Sequence, residues 1–82
     1  MISKNIILRD QKQVMEFVDI VAQYPYAVEV SLGREIMDAK SVLGMLALGF
    51  NRVMNMNIQA DNADDLLEAV SQFLCTQFGQ AV

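Results

Sequence analysis

Few side chains in this sequence have the chemistry of a catalytic group, and none of them stands in a recognisable catalytic spacing. There is no histidine, the residue best suited to accept and release a phosphoryl group near neutral pH. Cys75 is the only cysteine, so an internal disulfide and a cysteine metal cluster are both excluded. No glycine-rich phosphate loop and no acid pair spaced for hydrolysis occurs. The sequence therefore predicts neither an enzyme nor a metal or cofactor site.

Ser41 is the residue with the clearest local role. It stands directly before an apolar run, and Gly49 follows about two turns later, which is typical of a short helix with a serine N-cap. The same position suits a phosphate, because free amides and the positive end of the helix dipole converge there, and Lys40 is adjacent. Ser41 is therefore either a cap alone or a cap that is also a regulatory phosphorylation site.

The helix after Ser41 is apolar nearly all the way round, whereas a half-buried surface helix shows one apolar stripe. An apolar patch with few charges suits a protein partner. Two other readings stay open, because small domains expose some apolar surface in any case and a homodimer would also cover it. The predicted partner-binding patch consists of Val42, Leu43, Leu46 and Ala47.

Asp10 is the other side chain with a chemical alternative. With Gln13 three residues later it forms a capping-box signal, directly after the short alternating strand Lys4–Arg9. A helix follows, and Pro25 stops it. Capping accounts for Asp10 without a role as a phosphoryl acceptor. The apolar face of this helix is formed by Val14, Phe17, Val18 and Val21.

Three more strands are predicted between the two ends of the chain. Ala27–Leu32 alternates, Gly33 and Arg34 form a two-residue hairpin turn, and Glu35–Ala39 returns towards Ser41. Arg52–Ala60 has the clearest alternation, with Met54, Met56 and Ile58 on one side.

A closing helix is predicted from Asn62 to Gly79. Asp64 and Asp65 in its first turn complement the helix dipole, and Cys75 is a small packing residue on it. The expected buried face consists of Leu67, Val70, Leu74 and Phe78, with Leu66 and Phe73 flanking it.

The resulting order, β-α-β-β-α-β-α, predicts an α+β fold of two layers with the helices on one face of a four-stranded sheet. Two families fit this order. A ferredoxin-like small-ligand-binding or dimerisation domain shares the βαββαβ core, and periodicity alone does not separate the two. The short middle helix favours the other family.

That other family is HPr, the phosphocarrier of the bacterial sugar phosphotransferase system. The run Ala39-Lys40-Ser41, two apolar residues, and then Leu48-Gly49 with an apolar residue after it resembles the second-helix region of HPr. The resemblance implies an antiparallel sheet of order 1-4-2-3 with three helices on one side. It also implies that Ser41 falls where many relatives carry a serine modified by a dedicated kinase, and that this helix docks onto partner enzymes.

The resemblance fails at the phosphocarrier site. The family carries its phosphoryl group on a histidine, followed closely by an arginine and a proline, between the first strand and the first helix. Here the corresponding stretch reads Leu8-Arg9-Asp10-Gln11-Lys12-Gln13. Direct phosphohistidine chemistry is therefore excluded, and a working phosphocarrier would need an unfamiliar acceptor.

Size and charge narrow the remaining functions. Eighty-two residues make one domain, 1–82, and the net charge of −4 comes with six scattered basic residues rather than a basic face. Nucleic acid is an unsuitable partner, and no apolar run is long enough for a signal peptide or a membrane span. The expectation is a cytoplasmic HPr-like domain with a regulatory or binding role. Its expected partners are a protein bound through the 41–50 helix and an HPr kinase-like enzyme.

Overall fold

A computed structural model describes residues 1–81 of the chain. Within these residues the chain forms four strands and three α-helices, followed by one turn of 3-10 helix. In chain order they are β1 (Ile2–Leu8), α1 (Gln11–Ala22), β2 (Val28–Leu32), β3 (Glu35–Asp38), α2 (Val42–Leu48), β4 (Arg52–Ile58), α3 (Asp64–Ala69) and the 3-10 turn Ser71–Phe73.

The strands form one antiparallel sheet in the order β1-β4-β2-β3. This order and the three helices confirm the predicted two-layer α+β fold. The ferredoxin-like alternative is excluded, because it requires a different strand order and a middle helix nearly as long as the first. Here α2 has 7 residues and α1 has 12.

Helix α1 begins as the capping-box signal predicts. The Asp10 carboxylate accepts the Gln13 N–H at 2.8 Å, and the Gln13 side chain accepts the Arg9 N–H at 2.9 Å. Two amides at the start of the helix are thus satisfied by side chains. The helix ends at Ala22, three residues before Pro25. All four residues of the predicted apolar face are buried: Val14, Phe17, Val18 and Val21.

The core lies between the helices and one face of the sheet. Alternate residues of β4 point into it, so that Met54, Met56 and Ile58 are buried while Asn55 and Asn57 lie on the other face. At the helical side, the rings of Phe17 and Phe73 pack edge to face with centroids 5.7 Å apart. The same core includes Ile6, Leu8, Val28, Val30, Met45, Leu48, Leu66 and Val70.

The prediction of one long closing helix is wrong. Helix α3 has six residues, and its N-cap is Ala63, whose side chain makes no capping hydrogen bond, rather than Asn62. The Asn62 side chain, one residue before that N-cap, accepts the N–H of Asp64, the first residue of the helix, at 3.0 Å. The acidic first turn of Asp64 and Asp65 is present as expected. The buried face consists of Leu66, Val70 and Phe73, whereas Phe78 is 80% exposed.

The chain becomes extended after Phe73 and runs to the outer edge of β1. Leu74 pairs with Ile6, and the Cys75 N–H donates to the Asn5 carbonyl at 2.9 Å. A turn then brings Ala81 beside Cys75, with Gly79 at a φ of +81°. Gly79 therefore serves this turn and does not end a helix. The chain leaves the helical path at this point, where the backbone of Cys75 gains a partner on β1.

No helix within residues 1–81 is both long enough and apolar enough to cross a membrane.

Candidate functional site

Ser41 is exposed and caps α2, as the sequence predicts. Its backbone is extended, with φ −96° and ψ 109°, and its Oγ accepts the Gly44 N–H at 3.2 Å. The approach to the helix is fixed by Asp38, whose carbonyl accepts the Ser41 N–H and whose carboxylate accepts the Lys40 N–H, both at 2.9 Å. The serine hydroxyl is therefore held at the surface by a tight turn between β3 and α2.

Gly44 has a packing reason to be glycine. A Cβ at this position would lie 3.2 Å from the Ser41 hydroxyl and 3.3 Å from the Met37 sulfur. Both distances are tighter than ordinary van der Waals contact. The absence of a side chain lets the cap and β3 approach the helix closely, so the conformation of Ser41 depends on its neighbours in α2 and β3.

Lys40 is adjacent to Ser41 in sequence, but its ammonium group is engaged elsewhere. The Nζ donates to the Tyr24 carbonyl at 2.8 Å, in the segment that follows α1. The structure therefore ties the start of α2 to the end of α1 through this side chain. A lysine side chain is long and flexible. A phosphate on Ser41 would therefore compete with the Tyr24 carbonyl for the Lys40 ammonium group.

The four residues of the predicted patch lie at the surface to different degrees. Leu43 is 82% exposed and Ala47 is exposed, while Val42 and Leu46 are half-buried and pack partly against the core. On the opposite side of the helix, Met45 and Leu48 are buried at 0% and 2% exposure. The helix is thus not enclosed by its own chain.

Phe50 extends the apolar surface and was missing from the predicted patch. It is 47% exposed and follows Gly49, which ends α2 at a φ of +87°. The signal was present in the sequence, because an apolar residue directly after a C-cap glycine often packs back on the helix. Here it is only partly covered.

The start of α1 is where the family resemblance places the phosphocarrier site. Asp10 is exposed, but its carboxylate is used as the helix cap. The Arg9 guanidinium donates to the Gly79 carbonyl at 3.3 Å, and the Asn51 N–H donates to the Leu8 carbonyl. These bonds tie the strand–helix junction to the C-terminal turn and to the start of β4. The arrangement is a structural junction, and the sequence supplies no imidazole to it.

Cys75 is buried in the extended segment beside β1, not on a helix as predicted. Burial raises the pKa of its thiol, and the charge of Arg9 lowers it by less. A raised pKa leaves less of the reactive thiolate at neutral pH. Its packing role is therefore consistent with its surroundings.

The structure therefore brings Ser41 and the predicted patch together on one helix and leaves Asp10 at a separate helix start. The family model described as the PTS HPr component phosphorylation site matches residues 10–76. The match covers most of the chain, including the helix caps Asp10 and Ser41. The chain belongs to the HPr family.

Solved structures of HPr proteins share the fold. HPr-C-His from Thermoanaerobacter tengcongensis has a TM-score of 0.75 and 18% identity, with all of both chains covered. A phosphocarrier protein HPr from Bacillus anthracis str. Ames has a TM-score of 0.73 and 15% identity, over 90% of this chain and 96% of that one.

A histidine-containing phosphocarrier protein, studied for the divergence of Mycoplasma from Gram-positive bacteria, has a TM-score of 0.71 and 12% identity. The match covers 87% of this chain and 89% of that chain. At such low identities the likeness shows the fold alone. A search of curated proteins gave no significant match.

Proposed function

We propose that this HPr-family chain acts by binding a protein partner through α2 and does not carry a phosphoryl group on histidine. The observation that supports this most directly is the exposure of Leu43 at 82% on a helix whose opposite side is fully buried. Covering a leucine side chain completely is worth roughly 1.5–3 kcal/mol. That free energy is not gained on folding here and is available on docking.

Membership of the HPr family supports a class of partner. The family model that matches this chain describes a component of the phosphotransferase system, so the general enzyme of that system and an HPr kinase-like enzyme are the first partners to test. The binding surface is the predicted patch together with Phe50. Exposed apolar anchors at the centre of such a surface contribute most of the binding free energy.

Titration calorimetry of the chain against these two purified enzymes tests the docking proposal. Leu43→Glu should weaken binding by about tenfold or more, since it places a charge in an apolar contact. Phe78→Glu is the matched control, because it adds the same charge at a residue that is similarly exposed, at 80%, in the C-terminal turn. Equal affinity of wild type and Leu43→Glu for a partner that does bind would contradict docking through α2.

Ser41 is the proposed regulatory site on the same surface. A phosphate there would add about −1.5 to −2 charges directly beside the patch, which changes any apolar contact made by Val42 and Leu43. Incubation with an HPr kinase and ATP should add one phosphate to the wild type and none to Ser41→Ala, read by intact mass. A competent kinase that leaves the wild type unmodified would reduce Ser41 to a helix cap.

The chain is also proposed to be neither a phosphocarrier nor an enzyme. Incubation with the general phosphotransferase enzyme and phosphoenolpyruvate should leave its intact mass unchanged, with a histidine-containing HPr as the positive control. An added phosphate would instead identify a new acceptor. Asp10→Ala would then show whether that acceptor is the capping carboxylate.

A cytoplasmic location and a single domain over 1–82 complete the proposal. Self-association is the second way to cover the patch. Sedimentation velocity of wild type and Leu43→Glu separates the two cases, because a homodimer through α2 would be lost in the variant. A monomeric wild type leaves the apolar surface free for a different protein.

A further inference from the structure

The two outer strands of the sheet, β1 and β3, differ in how their outer edges are paired. The edge of β1 is covered by the C-terminal segment, where Leu74 pairs with Ile6 and the Cys75 N–H donates to the Asn5 carbonyl. Within residues 1–81, β3 pairs with β2 on one side only. Unpaired backbone groups along an edge strand are a template for another strand.

The register of the β2–β3 hairpin identifies which groups are free. Leu32 pairs with Glu35 across a two-residue turn, and the Ala39 N–H donates to the Val28 carbonyl at 2.9 Å. In an antiparallel pair, hydrogen-bonded and non-hydrogen-bonded positions alternate, so Ile36 and Asp38 direct their backbone groups away from β2. The Asp38 carbonyl accepts the Ser41 N–H. The Ile36 N–H and C=O and the Asp38 N–H remain at the open edge.

The side chains along this edge are of two kinds. Ile36 is 61% exposed on the face of the sheet opposite the helices. Asp38 lies on the same face directly opposite Glu29, and such cross-strand pairs have Cβ atoms about 4.5–5.5 Å apart. Two carboxylates at this separation repel each other. An apolar position and an acidic pair are thus two residues apart.

No cation within residues 1–81 neutralises this acidic pair. The salt bridge found there joins Lys12 to Glu16 on α1. The Lys40 ammonium donates to the Tyr24 carbonyl, and the neighbour of Glu29 on β4 is the neutral Asn57. Within the described residues neither carboxylate is therefore paired with a basic side chain, although Asp38 Oδ1 accepts the Lys40 backbone N–H.

A groove of about 440 Å³ lies at the same place. Its walls include Tyr26 from the segment before β2, Val28 from the start of β2 and Met37 from β3, as well as both carboxylates, Ile36 and Lys40. It is large enough for a few side chains. The edge thus offers backbone partners, an apolar contact and a site for positive charge together.

A second copy of this chain is a poor occupant for the edge. In an antiparallel pair of two β3 strands only the outward-facing positions oppose one another, so Asp38 of one copy would lie opposite Ile36 or Asp38 of the other. The one register that brings a basic residue opposite Asp38 uses Arg34, which lies in the hairpin turn outside the strand. Like charges directly opposite destabilise a strand pair. Charge complementarity instead favours a strand that carries positive charge.

We propose that the β3 edge binds an extended segment of a partner protein, which adds a strand to the sheet. The segment carries an apolar residue beside Ile36 and a lysine or arginine two positions away, beside Asp38 and Glu29. Alternate residues of a strand share a face, so this spacing brings both side chains to the same side of the sheet. This surface is separate from α2 and does not depend on the function proposed for that helix.

The experiment uses the whole chain and two synthetic nine-residue peptide libraries. Both have isoleucine and a charged residue fixed two positions apart, which is arginine in one library and glutamate in the other. The tightest arginine peptide should bind about tenfold or more tightly than the tightest glutamate peptide. In ¹⁵N spectra its largest shifts should fall on the amides of residues 35–38.

Two variants and one control assign the contacts. Glu29→Gln combined with Asp38→Asn should weaken the arginine peptide about tenfold, and asparagine keeps the acceptor for the Lys40 N–H. Ile36→Pro removes an outward donor and spares the bonds to β2, so it should also weaken binding. Asp19→Asn combined with Glu68→Gln removes the same charge from α1 and α3 and should have no effect.

The proposal is overturned if neither library yields a binder, if both libraries bind equally, or if the shifts map to α2. Equal weakening by the charge variant and its control would also overturn it. Leu43→Glu should leave peptide binding unchanged, so failure at this edge and failure of docking through α2 are distinguishable. If Ile36→Pro does not fold, the charge-neutral variant still decides the outcome.

Discussion

Helices α1 and α2 start in the same way and use their apolar residues differently. Each begins with a side-chain cap, Asp10 or Ser41, and each packs on the same core. In α1 the apolar face predicted from spacing is buried throughout. In α2 the buried residues are Met45 and Leu48, and the equally apolar Leu43 is 82% exposed.

The comparison shows when the spacing of apolar residues identifies the buried side of a helix and when it does not. Where polar residues fill the other side, as in α1, spacing identifies the buried face. Where nearly every position is apolar, as in α2, spacing gives no direction, and the sheet decides which side is covered. The uncovered side contributes little to the free energy of unfolding. We therefore expect substitutions there to change the affinity for a partner more than the stability.

The largest effect is expected in α1. Phe17→Ala should lower the free energy of unfolding by about 3–5 kcal/mol, because it removes a buried ring and its edge-to-face contact with Phe73. Urea denaturation followed by circular dichroism measures the change. Phe78→Ala is the control and should stay within about 0.5 kcal/mol, since Phe78 is exposed. A Phe17 effect no larger than that of Phe78 would contradict the assigned core.

The next effect tests the two sides of α2 directly. Met45→Ala should cost about 2–4 kcal/mol because the site is buried, whereas Leu43→Ala should cost about 0.5 kcal/mol or less. The same denaturation curves measure both variants. Similar losses for the two would mean that Leu43 is covered in solution, and the contrast between the helices would then disappear.

The two caps give a smaller and graded effect. Asp10→Ala and Ser41→Ala should each cost about 1 kcal/mol. The Asp10 variant should lose more, because the Gln13 N–H loses its side-chain acceptor and the reciprocal bond, in which the Gln13 side chain accepts the Arg9 N–H, is weakened with it. Asp10→Asn should recover most of the loss. A larger cost at Ser41 would show that its turn with Gly44 contributes more than the box at α1.

The smallest effect concerns α3, whose N-cap residue makes no side-chain capping bond. The Tyr26 hydroxyl, in the segment before β2, donates to the Asp65 carboxylate of this helix at 2.8 Å. This hydrogen bond raises the pKa of Tyr26 above its usual value of 10.0. The stabilisation is fully present below the unfolded pKa and is lost as pH rises through the higher folded value. Above about pH 10, the free energy of unfolding should therefore fall less steeply with rising pH in Tyr26→Phe than in the wild type. Identical pH profiles for wild type and Tyr26→Phe would show that the bond does not contribute.

Much of the fold could be predicted from the sequence, because short-range patterns determine it. The alternation in β4, the turn at Gly33 and the caps at Asp10 and Ser41 all appear in the structure. The closing segment could not be predicted in the same way. Two overlapping apolar sets both have helical spacing there, and Leu74 and Cys75 leave the helix for partners on β1 that lie far away in sequence.

The candidate site was predicted in part. Spacing identified Ser41 and the apolar character of α2, while the exposure of Leu43, the partial cover of Phe50 and the open edge at Ile36 came from the structure. Exposure depends on which elements pack against a residue. That is a property of the strand order, not of the local sequence.

The sequence by itself determined where α1 and α2 begin, and it excluded histidine chemistry, because caps, turns and functional groups are properties of single residues and their near neighbours. The tertiary structure alone decided which side of α2 stays in water, where the chain goes after Phe73, and which edge of the sheet stays unpaired within residues 1–81. The physical reason is that burial and strand pairing are satisfied by groups distant in sequence. Their positions are set only when the whole sheet is assembled.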